Sequence, residues 1–300
     1  MEPPTNHILL GPLKDVISAG DCVAFLGAGV SMPDYPDWRD LVAKLAKVCG
    51  VQEPPKPQAS LKELAEQARR TDEGAYWDVL HYEFQNRKCP ETAYRYHMLA
   101  RIPFKAYLTT NFDPLILDIL KLHRNIAFCE YPWLPTERLC ESPGVVFYLH
   151  GRMRPSKAPA NHPEIILTES DFKEAYDGAS KLPHLLNAAL TEHDVCFLGC
   201  GLQDDTMANI FATCEKIRAK AHGGSGQSIP RWFALVEEGW LAPHKFEDTG
   251  IDVLRYPRMD HTYVGLTTLL EHLAGAELPR PIRPENRKST FESVSEVQPQ

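Results

Sequence analysis

The 300-residue sequence has no stretch of about 18 apolar residues, so a membrane-spanning helix is not expected. Its eight cysteines (Cys22, Cys49, Cys89, Cys129, Cys140, Cys196, Cys200 and Cys214) form no CxxC pair. That removes the spacing signature of zinc ribbons and dithiol redox motifs. Several of them lie inside apolar runs, where a reduced thiol serves as a small core residue. Positive charge is also in deficit: 32 Lys and Arg stand against 40 Asp and Glu, for a net charge of -8. Binding of nucleic acid through overall charge is therefore not expected. The first 13 residues hold three prolines and no basic cluster ahead of an apolar run, so they do not read as a secretory signal. Together these absences lead to the expectation of a cytoplasmic protein without a metal site, a membrane anchor or direct nucleic-acid contacts.

What is present is a series of short apolar runs separated by amphipathic stretches. Runs 22–26, 106–110, 145–149, 195–198, 232–236 and 252–256 read as strands, with weaker candidates at 126–129 and 164–167. Runs without polar alternation suit strands buried on both faces, and hence a parallel sheet covered by helices. Helix patterns fall at 11–20, 38–49, 60–70, 75–87, 92–100, 113–122, 170–191, 205–220 and 262–275. Asp113 before Pro114, Ser170 and Asp204 are candidate helix caps. Strands alternating with helices predict an α/β, Rossmann-like, doubly wound parallel sheet. Residues 32–104 carry helix patterns and no convincing strand, and read as a helical module inserted into a domain spanning 1–280. Residues 281–300 are polar and read as a flexible tail.

Four segments carry chemistry, each placed directly after an apolar run. The first, Gly27-Ala28-Gly29-Val30-Ser31, has glycines that permit a tight turn and close approach to a pyrophosphate, and Ser31 could donate its hydroxyl to a phosphate oxygen. The third glycine of the G-x-G-x-x-G fingerprint is missing, as is the acidic residue expected some 20 positions later. The second, Thr109-Thr110-Asn111-Phe112-Asp113, puts polar side chains at a strand's carboxyl end, where open α/β sheets bind ligands. The alternative is that Thr110, Asn111 and Asp113 only cap the next helix, which can hold for Asp113 even where Asn111 is functional. The third is His150-Gly151, where an imidazole with an ordinary pKa of about 6.5 suits general-base work. A lone histidine among twelve also serves structural purposes. The fourth, Gly199-Cys200-Gly201-Leu202-Gln203-Asp204, again leads from small residues to a helix start that could meet phosphate or ribose. In a parallel sheet all four strand ends lie on one edge, so the segments are expected to converge.

In this order, GAGVS, TTNFD, LHG and LGCGLQDD resemble the motifs of the sirtuin superfamily over roughly residues 20–260. Residues 32–38 resemble the segment that follows that family's first motif. The zinc module of the deacylating members has no counterpart here, and Cys200 stands where they carry serine or threonine. Segment 151–176 resembles instead the sirtuin-like, NAD-hydrolysing domains of prokaryotic antiphage defence proteins. The resemblance implies NAD as substrate, no metal, and hydrolysis to nicotinamide and ADP-ribose by a regulated, NAD-depleting effector. It implies Asn111 and His150 as catalytic residues, with Gly27, Ala28, Gly29, Ser31, Thr110, Asp113, Gly199, Cys200, Gly201 and Asp204 holding the dinucleotide. It further implies a homo-oligomer and a separate regulatory protein, such as a motor ATPase or a nucleic-acid sensor. Two alternatives stay open: a subunit that binds NAD or ADP-ribose without turnover, and a protein deacylase or ADP-ribosyltransferase.

Overall fold

The computed structural model describes residues 7–51, 60–84, 90–140, 144–154, 162–177, 180–200, 212–214, 216–217, 229–239, 250–258 and 263–275. Its strands are β1 (Cys22–Leu26), β2 (Tyr107–Thr109), β3 (Ala127–Glu130), β4 (Val145–Tyr148), β5 (Asp194–Leu198), β6 (Trp232–Glu237) and β7 (Ile251–Tyr256). They form one parallel sheet in the order β3-β4-β2-β1-β5-β6-β7. The unbroken apolar runs follow from burial on both faces. Cys22, Ala24 and Leu26 of β1 enter one core cluster while Val23 and Phe25 enter the other. β5 divides likewise, Cys196 and Leu198 against Val195 and Phe197. Period-two alternation thus separates two apolar cores rather than core from solvent.

Helices cover both faces. On one lie α1 (His7–Ser18), α2 (Trp38–Val48), α3 (Leu61–Thr71), α4 (Glu73–Glu83), α5 (Pro90–Arg101), α6 (Leu115–His123) and α9 (Val264–Ala274); the other carries α7 (Glu169–Ala175) and α8 (Lys181–Glu192). Helices α2 to α5 occupy the interval between β1 and β2. Helix α5 is built into the sheet's covering layer: Tyr94 donates to Glu271 of α9 at 3.0 Å, and Tyr96, Met98 and Leu99 are core residues. Among the described residues no helix is long and apolar enough to cross a membrane.

Three local expectations need correction. Residues 164–167 form no strand; Ile166 donates its N–H to the His150 carbonyl at 3.0 Å and buries its side chain, so the segment crosses the end of β4. Gly151 makes that crossing possible: it sits at φ +80°, and a Cβ there would lie 2.0 Å from the Glu164 carbonyl oxygen. The long helix expected over 170–191 is divided into α7 and α8, because Tyr176 closes α7 and Ser180 opens α8 as its cap. The cap of α7 is Thr168, not Ser170: its hydroxyl accepts the Asp171 N–H while the Asp171 carboxylate accepts the Thr168 N–H. Of the helix expected over 205–220, residues 212–214 and 216–217 are helical and the rest lies outside the described residues, as does the tail 281–300.

Candidate functional site

From β1 the chain winds outward to β2 and, through β3, to β4, then returns across the sheet to β5 and continues the opposite way. The carboxyl ends of β1 and β5 therefore flank the switch point where open α/β sheets leave a crevice. A cavity of about 460 Å³ opens there, a size usual for small-molecule sites. Gly27, Ala28, Gly29 and Ser31 line it after β1, Thr110, Asn111 and Asp113 after β2, His150 after β4, and Gly199 and Cys200 after β5. Gly201 and Asp204 lie outside the described residues.

The glycines bring the loops after β1 and β5 into contact with each other. The N–H groups of Gly27 and Gly29 are spent on the carbonyls of Leu198 and Gly199, at 2.9 and 3.0 Å. A Cβ on Gly27 would sit 2.6 Å from the Gly199 oxygen, and one on Gly199 (φ +62°) 2.5 Å from the Val30 nitrogen. The close approach that requires glycine is thus between the two loops themselves, which are stitched together as the floor of the cavity.

Above that floor stands a buried polar network. Ser31 is 1% exposed, and its hydroxyl donates to Asp113 Oδ2 at 2.7 Å. With that proton committed, the Tyr96 hydroxyl 2.6 Å away is the donor to Ser31 Oγ. The Ser31 proton is thus engaged within the protein. Ser31 also receives the Asn111 side chain, whose Nδ2 donates to Ser31 Oγ and to the Gly27 carbonyl, both at 3.1 Å. A carbonyl only accepts, so the amide's orientation is set and its oxygen is left for other partners. The Asn111 N–H is held by Thr109 Oγ1 at 3.0 Å. Asp113 accepts the Leu115 N–H at 3.1 Å, but the cap position of the following helix is Pro114 and not Asp113.

Burial pushes the Asp113 carboxyl up to about 6, despite hydrogen bonds from Ser31 and the Leu115 backbone that favour its charge. The folded-state value lies above the unfolded one, so this group's stabilising contribution is present in full below about pH 4 and is lost as pH rises through 6. The loss amounts to about 3 kcal/mol at neutral pH. Asp113→Asn keeps an acceptor for Leu115 and cannot ionise. Its stability relative to wild type is expected to rise by about that amount between pH 4 and pH 7, read by urea unfolding at each pH. A difference independent of pH would contradict the assignment.

His150 is buried at the cavity wall, with Nε2 2.7 Å from the Tyr176 hydroxyl. Its ring meets Phe172 and Tyr176 edge-on, at centroid distances of 5.3 and 5.9 Å. Cys200 is no nucleophile here. Burial pushes its thiol up to about 12, and its S–H faces the carbonyls of Phe25 and Leu198.

Several residues in and around the site had been given no role from the sequence. Trp38 and Arg39, at the start of α2, form one wall, so the helical segment between β1 and β2 helps to build the site. Glu237 and Tyr256, at the ends of β6 and β7, and Tyr263 before α9 form the far end. Glu237 obeys the same strand-end rule that found the other segments, and the carboxylates of Val236-Glu237-Glu238 were the available signal. Arg95 had none. It is fully buried on α5, and its Nη1 donates to the carbonyls of Val30 and Met32, at 2.7 and 2.8 Å.

Comparison with known proteins places this geometry in context. The model of the SIR2-like domain matches residues 105–254. The chain is 29% identical over 190 residues to the uncharacterized protein y4cA of Sinorhizobium fredii, covering 56% of this chain and 16% of that protein. It is 26% identical over 252 residues to the NAD(+) hydrolase ThsA of Bacillus cereus, covering 82% of this chain and 49% of that enzyme. The chain thus spans half or less of the length of either relative. Among solved structures, an ADP-ribose complex of a Sir2 homologue variant aligns with a TM-score of 0.47 at 16% identity, over 91% of this chain and 99% of that one.

Proposed function

The chain belongs to the SIR2-like domain family, and from that premise we propose that it is an NAD glycohydrolase, cleaving NAD with water to nicotinamide and ADP-ribose. One observation carries the reading: Asn111 and His150, from different strand ends, line a single cavity at the sheet's switch point. The relative named as an NAD(+) hydrolase supports the same chemistry.

The sheet order suits a dinucleotide. His150 follows β4 and Glu237 ends β6, with β2, β1 and β5 between them. Four interstrand steps separate the two ends by about 19 Å, the reach of an extended dinucleotide. On this reading the scissile ribose lies at the Asn111 and His150 end, the pyrophosphate crosses the Gly27 and Gly199 floor, and the adenosine extends toward Glu237. Arg39, exposed at the rim, supplies positive charge for the pyrophosphate.

In the reaction the C–N bond to nicotinamide breaks, and its electron pair neutralises the pyridinium ring. The leaving group departs neutral and requires no general acid. A water oxygen bonds to the ribose carbon, and the water's proton passes to His150. Asn111 holds the ribose or the water through its carboxamide oxygen, turned outward by the Gly27 and Ser31 contacts.

Chromatography of NAD incubated with the purified protein tests the proposal, with equimolar nicotinamide and ADP-ribose as the expected products. Thermal stabilisation by NAD without products would favour a binding subunit instead. Transfer of an acyl group from an acyl-lysine peptide to ADP-ribose would favour the deacylase reading. The defence setting implied by segment 151–176 belongs to the same proposal and is tested by NAD depletion in phage-challenged cells that express the chain.

A further inference from the structure

Tyr176 has a feature that packing alone does not require. Its ring stacks on Phe172 (5.6 Å, 7°), which in turn stacks on Trp38 (5.7 Å, 25°), and a phenylalanine would serve that stack equally well. The hydroxyl, however, lies 2.7 Å from His150 Nε2. A phenol both donates and accepts, so it can stay bonded to the imidazole whether the ring is neutral or charged.

The element that presents Tyr176 is held with unusual care. Helix α7 has seven residues, too few to be stable on its own. Its start is locked by the Thr168–Asp171 capping box, and its end by the Tyr176 N–H bonding the Phe172 carbonyl. Helix α3 grips it from outside. Arg69 reaches Asp171 at 3.1 Å and Ser170 Oγ at 3.3 Å, and Glu66 accepts from the Ser170 hydroxyl at 2.6 Å and from its N–H at 3.1 Å. Lys62 of α3 sits 4.0 Å over the Phe172 ring. A short helix anchored at so many points places one phenol against one imidazole.

We propose that Tyr176 is the positioning residue of His150, fixing the plane of the ring and which of its nitrogens carries the proton. The inference rests on His150 being the base of the proposed hydrolysis. The nitrogen that bears hydrogen is set by the partner of the other one, so loss of the phenol changes the share of rings ready to accept a proton from water. Tyr176 itself touches no reacting atom on this account.

The test is Tyr176→Phe, which removes one oxygen from a half-buried ring and leaves the stack in place. Steady-state kinetics with NAD should show kcat lowered about tenfold or more with KM unchanged, since substrate contacts are retained. Imidazole nitrogen NMR, with the His150 signals identified by their loss in His150→Gln, should show Nε2 moving between wild type and Tyr176→Phe. An unaltered Nε2 signal overturns the proposal, as does an unaltered kcat in an active enzyme. If wild type proves inactive toward NAD, the hydrolase reading fails by itself. The NMR arm then decides the positioning claim: a moved Nε2 upholds Tyr176 as the residue that sets the ring, and an unmoved one refutes it.

Discussion

His150→Ala is expected to lower NAD turnover by at least about a hundredfold, and Asn111→Ala by a comparable factor, with neither variant losing its fold. A positioned general base contributes about 10²–10⁴-fold, and alanine at 150 removes the imidazole beside the cavity altogether. Asn111 acts through orientation. Its amide is fastened to the Gly27 carbonyl and to Ser31, so the oxygen it presents is already in place when substrate arrives. Alanine there leaves the Gly27 carbonyl and Ser31 without that donor but creates no buried charge, so the loss of stability should be small beside the loss of rate. Circular dichroism and thermal unfolding establish the fold, and product chromatography gives the rate. Full turnover in both variants would dismiss the assignment of these two residues.

Arg95→Ala should be the most destabilising single change at the site, by about 3 kcal/mol or more in urea unfolding. The guanidinium is fully buried and gives charge-assisted hydrogen bonds to two carbonyls of the loop after β1, with a third contact from Nε to Thr267 at 3.2 Å. Without it, the Val30 and Met32 carbonyls stay buried and unsatisfied, which costs more than the bonds contributed. Arg95→Lys should recover little, because one ammonium cannot reproduce the planar fork that spans both oxygens. The same loop carries Ser31, so turnover should fall along with stability. A variant within about 1 kcal/mol of wild type would show that water or a shifted backbone replaces the guanidinium without difficulty.

Local chemistry carried much of this protein's description. Buried strands on both faces produce unbroken apolar runs, which is why β1, β2, β4, β5 and β6 could be read directly, while edge strand β7 is a mixed run with half-buried Asp252 and Arg255. A parallel sheet sends every strand-end motif to one edge. Gly27, Asn111, His150 and Gly199 accordingly line one cavity. The weak run at 126–129 proved to be edge strand β3, where Ala127 and Phe128 are exposed and the apolar signal is correspondingly diluted. The similar run at 164–167 is not a strand, since its apolar residues are buried by crossing the end of β4, and a sequence pattern cannot distinguish those two ways of burying them.

The roles of individual groups were decided only by tertiary structure, because a hydrogen bond depends on partners distant in the chain. The bond from the Ser31 hydroxyl to Asp113, 82 positions away, has no counterpart in the local sequence. The mutual contact of the glycine loops after β1 and β5 likewise depends on the pairing of two distant strands. Arg95 and Tyr176 carried no local signal, since what matters in each is the carbonyl or the imidazole that folding sets against it. The absence of a CxxC pair needed no structure to be read. Residue order determined which groups gather at the crevice, and packing determined which of them remain available to a ligand once their neighbours have been satisfied.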